Sequence, residues 1–246
     1  MNSLIKLTYI DMKLYLRNTV AIFFTLAFPL LMLVLFGGIY GNQPADIFGG
    51  FGSADITVPG YIATIIIGTT AFMSLPMDLS TQRQLGVLRR MRATPLHPGM
   101  VLASKLISNL IISLVGMALL VVAGRLLFHT YLPVSWPAVL LGILLISVSL
   151  YALGLALASL VRSANAARAV SFAVFFPMMF LSGGTLPGQL LPESMRLVGK
   201  ALPLTYSVNL LHDLWFGLGW DLTAVVVLVG FLAAGTILSV RFFKWE

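Results

Sequence analysis

Residues 126–161 read LLFHTYLPVSWPAVLLGILLISVSLYALGLALASLV, without an Asp, Glu, Lys or Arg. A helix needs about 20 apolar residues to cross a hydrocarbon layer ~30 Å thick, and the part beginning near Ala138 supplies them. Pro133, Trp136 and Pro137 fit a boundary at the membrane surface, with an aromatic ring at headgroup level. Outward from this run lie five more uncharged stretches: Thr19–Ala45, Ile56–Met77, Leu106–Gly124, Ala169–Pro192 and Leu222–Val240. The whole chain is 59% hydrophobic and 9% charged, where a soluble domain carries about 25% charged residues. Mean hydropathy is +0.99. The sequence predicts an all-α integral membrane protein with six spans and no separate soluble domain.

The charges give the spans a direction. With the N-terminus placed in the cytoplasm, the inner gaps hold Lys6, Lys13, Arg17, Arg83, Arg89, Arg90, Arg92, Lys105, Arg162, Arg168, Arg241 and Lys244. The outer gaps hold only Arg125, Arg196 and Lys200. Cytoplasmic loops of membrane proteins are enriched in Lys and Arg, so both ends are expected inside, in the cytoplasmic membrane of a bacterium. The net charge of +7 belongs to these helix ends, where anionic headgroups attract it. Nucleic acid is not an expected partner, because a basic patch needs a soluble surface. Cys is absent, which excludes disulfides and thiolate metal sites. Thr19–Ala45 is too long for the apolar core of a cleaved signal peptide and is read as the first span.

Residues 1–18 are predicted to form a helix in the membrane interface. At 100° per residue, Lys6, Lys13 and Arg17 fall within an arc of about 40°. Leu4, Leu7, Leu14 and Tyr15 lie on the far side, where Asp11 interrupts them. The plainer alternative is a polar leader to the first span. That span, Val20 to Tyr40, has a kink expected at Pro29. Span 2 is expected from Pro59 to Leu79, after an outer loop holding Asp46 and Asp55. Asp78, at its inner end, reads either as an intramembrane functional acid or, as the helix end favours, as an ordinarily solvated one.

Residues 80–98 are the most charged segment. Ser80 is in position to cap a helix that Pro95 ends, with Leu85 and Leu88 on one face and Arg83 and Arg90 opposite. Two readings remain open here, a basic anchor and a helix that docks a cytoplasmic partner. Span 4 carries Gly142, Gly154, Ala156, Ala158 and Ser159, small residues that permit close helix contact. Span 5 ends near Gly183. Residues 182–219 are apolar yet broken by Gly183, Gly184, Pro187, Gly188, Pro192, Gly199, Pro203 and Gly217. Broken helices at membrane depth persist only under cover of protein or a water-filled cavity, so this region is read as a re-entrant or outer helix pair before span 6.

Catalytic motifs are missing. Leu181-Ser182-Gly183-Gly184-Thr185 looks like the signature loop of ABC ATPases, but no G-x-x-x-x-G-K-[ST] phosphate loop accompanies it. No H-E-x-x-H occurs, and no serine has a nucleophile context with a histidine base in another span. His97, His129 and His212 lie in separate gaps or ends. Mid-span acids, the usual mark of proton-coupled carriers, are also missing, which leaves an ATP-independent carrier or channel as the less favoured reading.

Two motifs then carry a resemblance. The first is Leu85-Gly86-Val87-Leu88-Arg89-Arg90-Met91-Arg92-Ala93-Thr94-Pro95-Leu96. The second is Phe180-Leu181-Ser182-Gly183-Gly184-Thr185-Leu186-Pro187, followed by Leu191-Pro192 and Leu202-Pro203-Leu204-Thr205-Tyr206. Together with the order of elements, they resemble the membrane subunit of ABC-2 type transporters, including bacterial drug-export permeases of the daunorubicin-resistance kind. The resemblance covers nearly the whole chain, as one transmembrane domain over 1–246. Where the family often has a Glu just before the loop Gly, this chain has Gln84-Leu85, which puts a charge contact with the ATPase in doubt.

The resemblance implies a non-catalytic permease subunit, paired with a second permease copy and with two separate ATPase subunits that hold ATP and Mg. This chain itself is expected to bind no cofactor or metal. The 80–98 loop would be the main coupling helix, through Arg83, Leu85, Gly86, Leu88, Arg89, Arg90, Arg92 and Pro95. The turn at Arg162 and Arg168 would be a second contact with the ATPase. The substrate path would run between spans 2 and 5, with Phe72, Met73, Phe175, Phe176, Met178 and Met179 as candidate lining. The cargo implied is a hydrophobic or amphiphilic drug, antibiotic or lipid; a polysaccharide or glycolipid is the alternative within the same superfamily.

Overall fold

The computed structural model describes residues 3–45, 48–87, 90, 98–161, 163–185 and 191–242. The chain runs through α1 (Ser3–Tyr15), α2 (Thr19–Tyr40), α3 (Ser53–Gln84), α4 (Pro98–Phe128), α5 (Trp136–Leu160), α6 (Ala164–Leu181), α7 (Glu193–Gly199), α8 (Pro203–Phe216) and α9 (Leu222–Phe242). Among the described residues no strand occurs. Six helices, α2 to α6 and α9, are long and apolar enough to cross a membrane. The protein is an all-α, multi-pass membrane protein, as its hydropathy predicts.

Prolines shape the first two spans. A proline ring clashes with the carbonyl four residues back and offers that carbonyl no N–H. For Pro29 that residue is Thr25, and for Pro76 it is Phe72. Both lie inside widened π-helical turns, Phe23–Ala27 and Thr70–Ser74. The expected kink at Pro29 thus takes the form of a π turn just ahead of it. A third such turn, Ile62–Ile67, follows Pro59. The entry to α2 is set by Asn18, whose Oδ1 accepts from the Ala21 amide at 3.2 Å.

The second span is longer than its hydropathy suggests. It starts at Ser53 rather than Pro59, because the Asp55 carboxylate accepts from the Gly52 amide at 3.1 Å and closes the first turn. Asp55 is no loop residue: it is buried, and its other oxygen accepts from the Tyr131 amide at 2.9 Å. Asn42 completes this knot, accepting from the Asp55 amide and donating to the Phe128 carbonyl. At the other end α3 continues to Gln84. Ser80 is therefore not a cap but a buried residue within this helix, because Leu79 and Gln82 around it find cover inside the bundle. The helix stops at Gly86, whose φ of 68° lies in the left-handed region that glycine adopts without steric cost. Of the expected coupling segment 80–98, residues 88, 89 and 91–97, with Leu88, Arg89, Arg92 and Pro95, lie outside the described residues, as does Arg162.

α3 is the centre of the bundle. Tyr61, Ile62, Ile65, Ile66, Ile67, Leu75 and Leu79 are all fully buried. Small residues let neighbours reach it, as the composition of span 4 predicts. A Cβ on Gly154 of α5 would stand 2.1 Å from the Ala71 carbonyl oxygen of α3, so only glycine permits that approach. Thr70, Ser113 and Tyr151 join α3, α4 and α5 by hydroxyl contacts of 3.2 Å (Thr70–Ser113) and 3.0 Å (Ser113–Tyr151).

The broken region before the last span forms the predicted helix pair, α7 and α8. The Leu181–Thr185 stretch ends α6: Ser182 and Thr185 both donate to the Met179 carbonyl, at 2.9 and 2.7 Å. Its glycines serve packing. A Cβ on Gly60 of α3 would lie 2.5 Å from the Gly184 carbonyl oxygen. α8 buries Leu204, Leu210, Leu211, Leu214 and Trp215, which explains why so apolar a segment is no solvated loop.

Candidate functional site

On the side of the bundle that carries α1, a cavity of about 410 Å³ opens between α2, α3 and α6. Val20, Ala21 and Phe24 come from α2, Met73, Met77 and Asp78 from α3, and Arg168 and Phe172 from α6. The wall is mostly apolar and in part aromatic. Phe24 meets Phe172 and Phe176 edge-on, each at 6.2 Å between ring centroids, and Phe172 stacks on Phe176 at 5.6 Å. A site of this size suits a small amphiphile, since ligand cavities commonly measure about 300–1,000 Å³.

The six residues expected along a path between spans 2 and 5 fall in two groups. Met73 lines the cavity, and the half-buried Phe176 belongs to the ring cluster beside it. Phe72, Phe175, Met178 and Met179 are buried inside this single chain, packed in its hydrophobic core. Phe24, Met77 and Phe172 are wall residues that the sequence did not single out.

Beneath the cavity sits a buried ion cluster. Lys105 of α4 pairs with Asp78 of α3 and, at 3.1 Å, with Asp11 of α1. Ser104 donates to the second Asp11 oxygen at 2.6 Å, and Gln82 donates to both Asp78 oxygens at 3.0 and 3.1 Å. Lys105 is no solvated cytoplasmic cation: its side chain is 3% exposed. Nor is Asp78 simply solvated, since it shares that ammonium. One sign of this was legible. Asp11 interrupts the apolar side of α1, and a carboxylate there needs a buried cation across from it. Tyr15 sits beside the cluster with its hydroxyl 2.6 Å from that of Thr25. Burial pushes its pKa up, while hydrogen bonds from Ser74 and Thr25 act against that rise.

The inner end of α3 also holds two other helix ends. Arg83 Nη1 donates to the carbonyls of Ala158 and Val161, at 3.3 and 2.9 Å. Those groups close α5, and a cation there complements the helix dipole. Gln84 Oε1 accepts from the Ala164 amide at 3.3 Å, at the start of α6. Arg83 and Gln84 therefore join the 80–98 loop to the turn before Arg168. Leu85 follows them, 64% exposed. Arg90 and Arg168 are exposed as well.

On the opposite side a wider cavity of about 750 Å³ lies under α7 and α8. Phe48, Phe51 and Val208 give it apolar walls, and Arg196, Lys200, His212, Asp213 and Asp221 give it charge. Burial lowers the His212 pKa. Burial also raises that of Asp213, helped by the neighbouring Asp221 carboxylate. Among the described residues no group of His, Asp or Glu is arranged to hold a metal ion.

A family model described as "ABC-2 type transporter" matches residues 3–216. The transport permease ycf38 of Porphyra purpurea is 27% identical over 224 residues, 87% of this chain and 75% of that protein. The transport permease YvfS of Bacillus subtilis is 24% identical over 212 residues, 82% of this chain and 81% of its own. The daunorubicin resistance ABC transporter permease protein DrrB1 of Streptomyces coeruleorubidus is 25% identical over 224 residues, 88% of this chain and 77% of its own.

Proposed function

The chain belongs to the ABC-2 type transporter family, and we propose that it is the membrane-spanning permease subunit of an ATP-driven exporter. Its cargo is a hydrophobic or amphiphilic compound carried out across the cytoplasmic membrane of a bacterium. The observation that carries this reading is the apolar, aromatic cavity between α2, α3 and α6. It lies on the side where α1 carries Lys6 and Lys13 and the inner end of α3 carries Arg83. An apolar wall with Met and Phe side chains adapts to varied apolar ligands. ATP hydrolysis belongs to a separate ATPase subunit, two per complex, docked on the 80–98 loop and on the turn before Arg168. A second permease copy completes the path.

Affinity purification of this chain from its own membranes tests the proposal. An ATPase should copurify, and everted vesicles should accumulate a lipophilic dye only when ATP is present. Stripped of that partner, the chain should hydrolyse no ATP, because it lacks a phosphate loop. Turnover by the chain alone would overturn the assignment.

The orientation follows from the positive-inside bias and has its own test. Reporter fusions at Gly49 and His129 should read outside, and a fusion at Gly86 should read inside. The reverse pattern would place the 410 Å³ cavity on the outer side and end the export reading.

A further inference from the structure

The charges beneath the inner cavity do not cancel. Asp11, Asp78 and Lys105 bring two carboxylates to one ammonium, which leaves one negative charge in surplus. The members differ in access. The Lys105 side chain is 3% exposed, that of Asp11 14% and that of Asp78 42%. Asp78 is also the member that lines the cavity, alongside Phe24, Met73, Met77 and Phe172. The surplus therefore presents itself at an apolar wall, where a charge acts through a lower effective dielectric than in water. Phe24 and Phe172 stand on the same wall, and aromatic rings favour cations over anions.

Asn18, Thr69, Ser74, Thr81 and Arg168 also border this space. The Thr69 hydroxyl is buried and has no hydrogen-bond partner among the described residues. Arg168 stands on the wall contributed by α6, exposed and without an ion pair among the described residues. Being exposed, its charge is partly screened by water, whereas Asp78 is fixed by Lys105 and by both contacts from Gln82.

We propose that this cavity selects lipophilic cations over neutral or anionic compounds of the same size, and that Asp78 is the specificity-determining residue. The inference rests on the export reading for its purpose but not for its test, which measures binding without ATP or a partner.

The probes are tetraphenylphosphonium and tetraphenylborate, two ions of nearly equal size and opposite charge, titrated onto the full chain in lipid nanodiscs. The cation should bind at least about tenfold more tightly, the order expected from one unit charge near a partly desolvated wall. Asp78→Asn leaves Asp11 and Lys105 as a neutral pair, so the bundle keeps its internal balance. That variant should lose the preference between the two ions. Arg168→Gln leaves the cluster untouched and should strengthen cation binding several-fold, which keeps the test decisive if Asp78→Asn fails to fold. Equal affinity for the two ions, or cation binding indifferent to both substitutions, would show a merely apolar cleft and overturn the proposal. Selective binding without ATP-driven accumulation in vesicles would instead leave the cavity's preference standing and remove the export reading.

Discussion

Lys105→Met should lower the thermal stability of the detergent-solubilised protein more than any other single charge removal in the bundle. The ammonium is the counter-ion that two carboxylates share. Its loss leaves Asp11 and Asp78 facing each other without a cation, and an uncompensated buried charge costs about 3–5 kcal/mol. Asp78 is partly exposed, so solvent screening brings the expected cost toward the lower end of that range. The substitution only raises the hydropathy of α4, and the variant should still insert. The cause is separable from lost packing. A triple variant, Asp11→Asn, Asp78→Asn and Lys105→Met, removes all three charges together and should recover most of the stability. A melting curve for Lys105→Met that overlays the parent's would refute the view that this cluster holds α1 against α3 and α4.

The contrast between Lys105 and the six spans shows what the sequence exposes. Spans are written in the average: a run such as Leu222–Val240 is apolar at nearly every position, and no particular contact has to be known. The helix pair before the last span was legible for the same reason, since Leu204, Leu210 and Trp215 demand cover. In sequence Lys105 reads as one of the cytoplasmic cations, because its neighbours along the chain do not reveal Asp11 and Asp78. Those acids stand far off along the chain and meet it only after α1 and α3 pack against α4. Hydropathy places the start of α3 too late for the same reason, as Asp55 and Asn42 stabilise it through contacts that hydropathy does not register. The π turns are a different case. Pro29 and Pro76 announced a local break, and what needed the structure was its form.

At the end of α3, Leu85→Asp should abolish copurification of the ATPase and ATP-dependent transport while leaving membrane insertion intact. The argument begins with exposure. Leu85 is 64% exposed and follows the last turn of a helix whose other apolar residues find cover. It sits between Gln84, which holds the start of α6, and Gly86, where φ turns positive. Arg83, two residues earlier, holds the end of α5. Leu85 therefore adjoins contacts that tie three spans together, two of which, α3 and α6, line the inner cavity. Burying a Leu side chain in a partner's groove contributes roughly 1.5–3 kcal/mol. An aspartate there forfeits that and adds several kcal/mol for a buried, unpaired charge. Arg90→Ala should weaken the complex only slightly, because an exposed ion pair is worth about 0–1 kcal/mol. The asymmetry between the two variants is the useful readout. If Leu85→Asp retained its ATPase and transported normally while Arg90→Ala did not, the partner would be held by charge alone. In that case the end of α3 would be an anchor at the membrane surface and not the element through which the ATPase moves the cavity.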